Sequence, residues 1–278
     1  MLPKDKADER ADRMVTDAEI FAIGDELCYG RVYDTNSFWL ADQVTKLGLI
    51  VNRITCLRDD VEGLCAALSE SLKRRPRFIF ITGGLGPTFD DRTIEAISKL
   101  SGRKIVTEGR ILKDMAERRG VGVDGLSPGL KAMARTVEGA ECLPNPVGWA
   151  PTTVIEIGET VLAALPGPPK EMQACFAAHL SKRVADATGY RSLSHRVFVT
   201  MYESEISPIL ENLARSCGAA YFKPLVGAYD QGIGLPVEVI VFGESESACE
   251  KRYLELISSL EREVTARGKS LFSEPKGK

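Results

Sequence analysis

The sequence predicts an α/β protein: a three-layer, mostly parallel sheet with helices on both faces, followed by a smaller α+β domain. Three observations carry this. Short apolar runs alternate with apolar residues at helical spacing from about residue 17 to 180. Glycine-rich loops follow several of those runs, as loops leaving buried strands do. After residue 190 the order changes to strand, helix, two strands and helix.

Residues 19–23 predict the first strand, and Leu40, Val44 and Leu47 mark a helix that Thr35 or Asn36 caps and Gly48 ends. A strand at 49–56 leads to a helix with Val61, Leu64, Leu68 and Leu72 on one face. The third strand, 78–82, leads to a helix bearing Ile94, Ile97 and Leu100 and closed by Gly102. Such strand–helix–strand units give parallel pairing. Helical patterns recur at 111–119 and 130–137, and 153–157 with 161–165 form a hairpin around Gly158-Glu159-Thr160. Pro168 or Pro169 opens a helix through Met172, Phe176 and Leu180. A polar link at 181–194 then joins a strand at 195–200, a helix at 206–214, strands at 219–223 and 237–242, and a closing helix at 248–264. The divisions expected are a polar tail at 1–16, a first domain at 17–182 and a second at 191–267.

The most informative chemistry lies in Gly83-Gly84-Leu85-Gly86-Pro87-Thr88-Phe89-Asp90-Asp91, between the third strand and its helix. Glycines let backbone N–H groups approach an anion, and a helix N-terminus adds a favourable dipole, so the natural ligand is a phosphate. Asp90 and Asp91 would repel it unless a divalent cation lies between them or one aspartate turns to a sugar hydroxyl. Thr88 to Asp91 equally fits a helix-capping pattern, in which the side chains only satisfy backbone donors. No Gly-Lys-Ser/Thr follows, which excludes a Walker A loop, and Phe89 takes the place of a dinucleotide fingerprint's third glycine.

Composition narrows the function classes. A net charge of −3 over 278 residues argues against general nucleic-acid binding. Residues 191–265 hold eleven Asp or Glu against seven Lys or Arg, with no Gly-x-x-Gly clamp. Seven cysteines form no Cys-x-x-Cys pair, and their odd number suits reduced cytoplasmic thiols better than a disulfide framework. With two histidines, zinc is disfavoured. No apolar run approaches the roughly 20 residues of a membrane span, and the polar first 16 residues read as neither signal nor anchor.

The string GGLGPTFDD resembles the molybdopterin-binding domain family of MoaB and Mog proteins, and within it the N-terminal domain of CinA-type proteins. Three more segments occur in the family's order: Ile23-Gly24-Asp25-Glu26-Leu27 with Gly30 and Asp34-Thr35-Asn36; Pro144-Asn145-Pro146-Val147-Gly148-Trp149-Ala150-Pro151; and Leu165-Pro166-Gly167-Pro168-Pro169-Lys170-Glu171. The likeness is strong over residues 17–180 and looser beyond, where 191–265 resembles the KH-like middle domain of CinA proteins. The amidohydrolase domain that CinA proteins commonly carry is not expected, because the chain ends too early for it.

The resemblance implies a nucleotide or pterin ligand, molybdopterin included, a divalent cation (magnesium, manganese or cobalt) and a homo-oligomer, dimer or trimer. In an open parallel sheet, loops leaving the strands' carboxyl ends share one crevice. Asp25, Glu26, Asp90 and Asp91 would then cluster beside a phosphate cradle. Asp91, then Asp90 and Glu26, are the implied catalytic and metal-holding residues; Gly83, Gly84, Gly86 and Thr88 hold phosphate. Asn145, Gly148, Pro166 and Gly167 border the rest of the ligand. Trp149 offers either a stacking surface or a loop anchor, and Lys170 either a phosphate partner or a solvated side chain. The activity implied is metal-dependent hydrolysis of the diphosphate of ADP-ribose or a related dinucleotide such as FAD. A molybdopterin adenylyltransferase and a non-catalytic binding module are the alternatives. Asp25 in place of the usual Thr, Trp149 in place of a small residue and Thr152 in place of Gly depart from the family pattern.

Overall fold

A computed structural model of the chain describes residues 17–229 and 234–273. The tail expected over 1–16 lies outside the described residues. The chain forms two compact units, one built from 17–44 and 49–187, the other from 45–48 and 188–273.

The first unit contains a six-stranded sheet of order β2-β1-β3-β8-β7-β6. Its parallel part comprises β1 (Asp17–Ile23), β2 (Ile50–Leu57), β3 (Phe78–Thr82) and β8 (Thr160–Leu165). β7 (Thr152–Ile157) runs antiparallel to β8, and β6 (Glu141–Leu143) antiparallel to β7. The five residues of β3 are all buried because both faces of the sheet are covered. On one face Ile79 and Ile81 join Phe21, Leu64, Leu68, Ile94 and Ile97; Phe80 instead meets Phe176, which also packs edge-on against Trp39. At about 25 cal/mol per Å², burying each such side chain contributes on the order of 2 kcal/mol.

The helices are α1 (Asp25–Cys28), α2 (Thr35–Lys46), α3 (Val61–Arg74), α4 (Thr93–Ser101), α5 (Gly109–Arg119), α6 (Pro128–Met133), α7 (Pro169–Cys175) and α8 (Ser181–Thr188). The cap of α2 is neither Thr35 nor Asn36: the Asp34 carboxylate accepts from the Ser37 amide at 2.9 Å. Two other expectations fail locally. The helix expected over 130–137 stops at Met133, and Arg135–Val137 is a strand, β5, paired with β4 (Ile105–Thr107). Leu130, Ala134 and Val137 imitate a helical period, but the buried Thr136 hydroxyl instead meets Thr153 across the fold. The link expected from Ser181 onward is mostly structured. A π-helical stretch, Phe176–Leu180, joins α7 to α8, in which Val184 is fully buried.

The second unit carries an antiparallel sheet of order β10-β11-β9-β12, from β9 (Arg191–Val199), β10 (Ala220–Pro224), β11 (Leu235–Gly243) and β12 (Leu271–Ser273). Val237, Val239 and Val241 alternate inward on β11 and are fully buried against α9 (Glu203–Cys217) and α10 (Glu246–Thr265). The strand–helix–strand–strand–helix order is the expected one, with β12 added.

Candidate functional site

Three loops leave the carboxyl ends of β1, β3 and β8 side by side, and two of their glycines are required by close approach. Gly83 has φ +101°, and a Cβ there would lie 2.2 Å from the Ile23 carbonyl oxygen; at Gly84, φ +66°, it would lie 2.2 Å from the Thr93 hydroxyl. Thr93, buried at the start of α4, fixes the turn: its hydroxyl donates to the Gly83 carbonyl at 2.9 Å and its amide to that of Gly84 at 3.1 Å. Gly167 comes so near that its added Cβ would stand 3.5 Å from Gly83 Cα.

Asn36, at the N-terminus of α2, binds these loops together. Its Nδ2 donates to the Thr82 hydroxyl at 2.8 Å and to the Gly167 carbonyl at 2.7 Å. The Thr82 hydroxyl in turn donates to the carbonyl of the buried Pro166. Because the Gly167 carbonyl can only accept, the amide orientation is set, and the other end, Oδ1, is buried with no partner among the described residues. Asn36, Thr82, Gly83, Gly167 and Glu26 line a cavity of about 90 Å³ outside the sheet edge, large enough for several waters or a phosphate-sized group.

Of the two aspartates of the glycine loop, Asp91 satisfies backbone donors, as the capping pattern proposed, but those of its own loop and not of a helix. Asp91 turns back into its own loop, accepting from the Gly86 amide at 2.7 Å, the Thr88 amide at 2.8 Å and the Thr88 hydroxyl. It does not cap α4, which starts at Thr93 without a side-chain cap. Those amides and the Thr88 hydroxyl, expected to hold phosphate, are engaged by a carboxylate in this conformation. Asp90 is exposed. Beside Gly84, Gly86 and Asp91 lies Arg135, lining a second cavity of about 10 Å³, which holds about one water.

Of the four carboxylates expected to converge, Asp25, Glu26 and Asp90 gather around Asp59, whereas Asp91 turns away into its own loop. Asp25 forms a fork with Arg58, at 2.9 and 3.0 Å, and that guanidinium holds its carboxyl below the ordinary range. Glu26 is exposed and folds back over Gly24. Among the described residues, no three His, Cys, Asp or Glu side chains come together as a metal-ligand set. The missed member of the acidic group is Asp59, which accepts from the Asp25 amide at 2.9 Å. Burial pushes its carboxyl up, and the charges of Asp25, Glu26 and Asp90 add to the rise. Its position was readable: it follows β2, whose carboxyl end lies beside that of β1.

Asn145 and Gly148 build the remaining loop rather than open onto it. Asn145, 3% exposed, accepts from the amides of Val147 and Gly148 and donates to the Ala150 carbonyl and the Glu171 carboxylate. Gly148 admits no side chain, since a Cβ would overlap Glu171. Arg118 clamps the loop from outside through the Asn145 and Gly148 carbonyls. Arg118 and Arg119 both lie over the Trp149 ring, 4.5 and 4.9 Å from its centre, so Trp149 anchors this loop. Lys170 is exposed.

Residues 19–186 match the family model described as a probable molybdopterin binding domain. A protein of Thermococcus kodakarensis is 37% identical over 250 residues, covering 86% of this chain and 96% of that protein. One from Pyrococcus furiosus is 34% identical over 243 residues, covering 84% and 93%. Among solved structures, the protein CinA with unknown function from Thermoplasma acidophilum is 30% identical, with a TM-score of 0.57, over 61% of this chain and 98% of that one.

Proposed function

Because this chain belongs to the molybdopterin-binding domain family, we propose that its first domain binds a phosphorylated nucleotide or pterin where β1, β3 and β8 end, and hydrolyses the diphosphate of ADP-ribose or a similar dinucleotide. The observation that carries the binding site is the cavity at Asn36. Its buried Oδ1 acceptor suits a ligand N–H or O–H, such as a sugar hydroxyl or a pterin ring nitrogen. The N-terminus of α2 lines this cavity and adds a dipole favourable to an anion. Arg135 adds a cation at the far end of the glycine loop.

A diphosphate needs relief from the acidic group of Asp25, Glu26, Asp59 and Asp90. The donor set fits a hydrated divalent cation, not a preformed inner coordination shell, and Asp59 and Asp90 would hold it through water. A bound magnesium, manganese or cobalt ion supplies charge neutralisation at the phosphoryl oxygens. Asp91 keeps the loop folded, and Thr93 holds Gly83 and Gly84 close to the ligand.

The test is incubation with ADP-ribose, FAD, NADH and ATP, each with magnesium, manganese or cobalt and each with EDTA, followed by chromatography. AMP released from ADP-ribose or FAD only with metal is the expected result. Tight nucleotide binding without product under any metal would leave a binding module. The family description names molybdopterin, which favours adenylyl transfer as the second reading; AMP transfer appearing only when molybdopterin is added would establish it.

A further inference from the structure

We propose that Cys28 and Cys56 form a reversible oxidative modification site, closing to a disulfide that fastens α1 to β2. This inference is independent of the activity proposed above. The two sulfurs lie 3.6 Å apart. Of the seven cysteines, these two are the exposed ones; Cys65 and Cys217 are half-buried, and Cys142, Cys175 and Cys249 are buried. An oxidant in solvent therefore meets this pair first, and meets it as a pair.

The backbone around them is already held. Cys56 sits in β2 opposite Ala22 of β1, and Cys28 ends the helix that follows β1. The Arg58–Asp25 fork and the bond from the Asp25 amide to Asp59 keep α1 against the end of β2. A disulfide is about 2 Å long, so the sulfurs need a further approach of about 1.5 Å, within reach of side-chain rotation.

The chemistry balances with a hydroperoxide as oxidant. Burial and the adjoining Cys28 thiol push the Cys56 thiol up to about 12, so the Cys28 thiolate attacks the peroxide oxygen, the O–O bond breaks, and a sulfenic acid forms as the first water or alcohol leaves. The second sulfur attacks that sulfenic sulfur, and hydroxide departs as water after taking up the thiol proton. Two cysteines lose two electrons and the peroxide gains two. The link closes a loop between residues 28 apart in sequence, and it fixes the helix that carries Glu26 and Leu27 into the wall of the 90 Å³ cavity.

The experiment treats the full chain with low equivalents of hydrogen peroxide, alkylates the remaining thiols, and reads intact mass, peptide map and melting temperature. The expected product has lost the mass of two hydrogens, yields joined Cys28 and Cys56 peptides, and reverts with dithiothreitol. Its Tm rises by about 5–10 °C, as expected for closing a loop of this length. Cys28→Ser and Cys56→Ser, both exposed changes, should each abolish the link and the Tm gain. Should a variant fold poorly, the peptide map of the unsubstituted protein decides alone. Separate oxidation of the two sulfurs to sulfinic acid, a link to another cysteine, or two thiols that stay alkylatable would overturn the proposal.

Discussion

Two loops of the first domain are built by the same device with opposite consequences. In the Gly83–Asp91 loop one side chain, Asp91, gathers two backbone amides and a hydroxyl; in the Asn145–Pro151 loop one side chain, Asn145, gathers two amides, a carbonyl and a carboxylate. Asp91 is charged and partly exposed, so water or a phosphate can replace it on those amides. Asn145 is neutral, buried and braced by Arg118, so nothing competes for its partners. An exchangeable organiser suits a loop proposed to receive an anion, whereas a locked one suits a wall.

The largest test of this contrast is Asn145→Ala. It strands the buried Gly148 amide and Ala150 carbonyl at about 1–3 kcal/mol each, and the partly buried Val147 amide and Glu171 carboxylate at less. A total loss of about 3–5 kcal/mol is expected, seen by denaturant titration as a lower midpoint with an unchanged slope. A loss below about 1 kcal/mol would show that the loop is not locked through this residue.

Asp91→Asn should do less, and its two readouts should separate. An amide offers one accepting oxygen where the carboxylate offers two, so the Thr88 or Gly86 amide loses its partner, at a cost of about 1–2 kcal/mol. These amides are near solvent, and inorganic phosphate should recover part of the loss by binding them. Thermal melts with and without phosphate check this. Equal phosphate stabilisation in Asp91→Asn and the parent would remove the exchange idea.

The same contrast explains what was legible in the sequence. The strand Phe78–Thr82 and its loop were readable because an unbroken apolar run and consecutive glycines each have a single strong physical meaning. The three-residue strands β4, β5, β6 and β12 were not, being too short to show a period. Glycine positions foretold where backbone approaches backbone, as at Gly83 and Gly167. They could not foretell the direction of a polar side chain. Asp91 points back into its loop, and Asp25 pairs with Arg58, 33 residues away. Asp59 and Arg135 enter the site only through tertiary pairing, from a strand end and from a segment with an imitation helical period. Thr93 had a fainter signal, a hydroxyl residue at the helix start just after a double glycine.

The smallest predicted effect concerns two carboxylates shifted in opposite directions. Burial alone would push the Glu19 carboxyl up, but the Arg74 fork at 2.6 and 2.7 Å outweighs it and holds the group below its ordinary range. Glu19 therefore contributes stability above the unfolded value of about 4.3, and that contribution is lost as pH falls through the lower folded value. Asp59 has the reverse sign. Burial and three neighbouring acids raise its folded pKa above the unfolded value of about 3.9, so its ionised form costs stability at neutral pH. That cost fades as the pH drops through the raised value and the carboxyl protonates. Asp59→Asn keeps an acceptor for the Asp25 amide and removes the charge, so it should stabilise the fold at pH 7 by about 0.5 kcal/mol or less. The gain should shrink as pH falls toward 4, while Glu19→Gln destabilises at pH 7 and approaches the parent on acidification. Denaturant midpoints measured from pH 7 down to about pH 3 resolve both trends, that of Asp59 above about pH 4 and that of Glu19 below it. A gain in Asp59→Asn that grew on acidification would mean that the acids around Asp59 do not repel it.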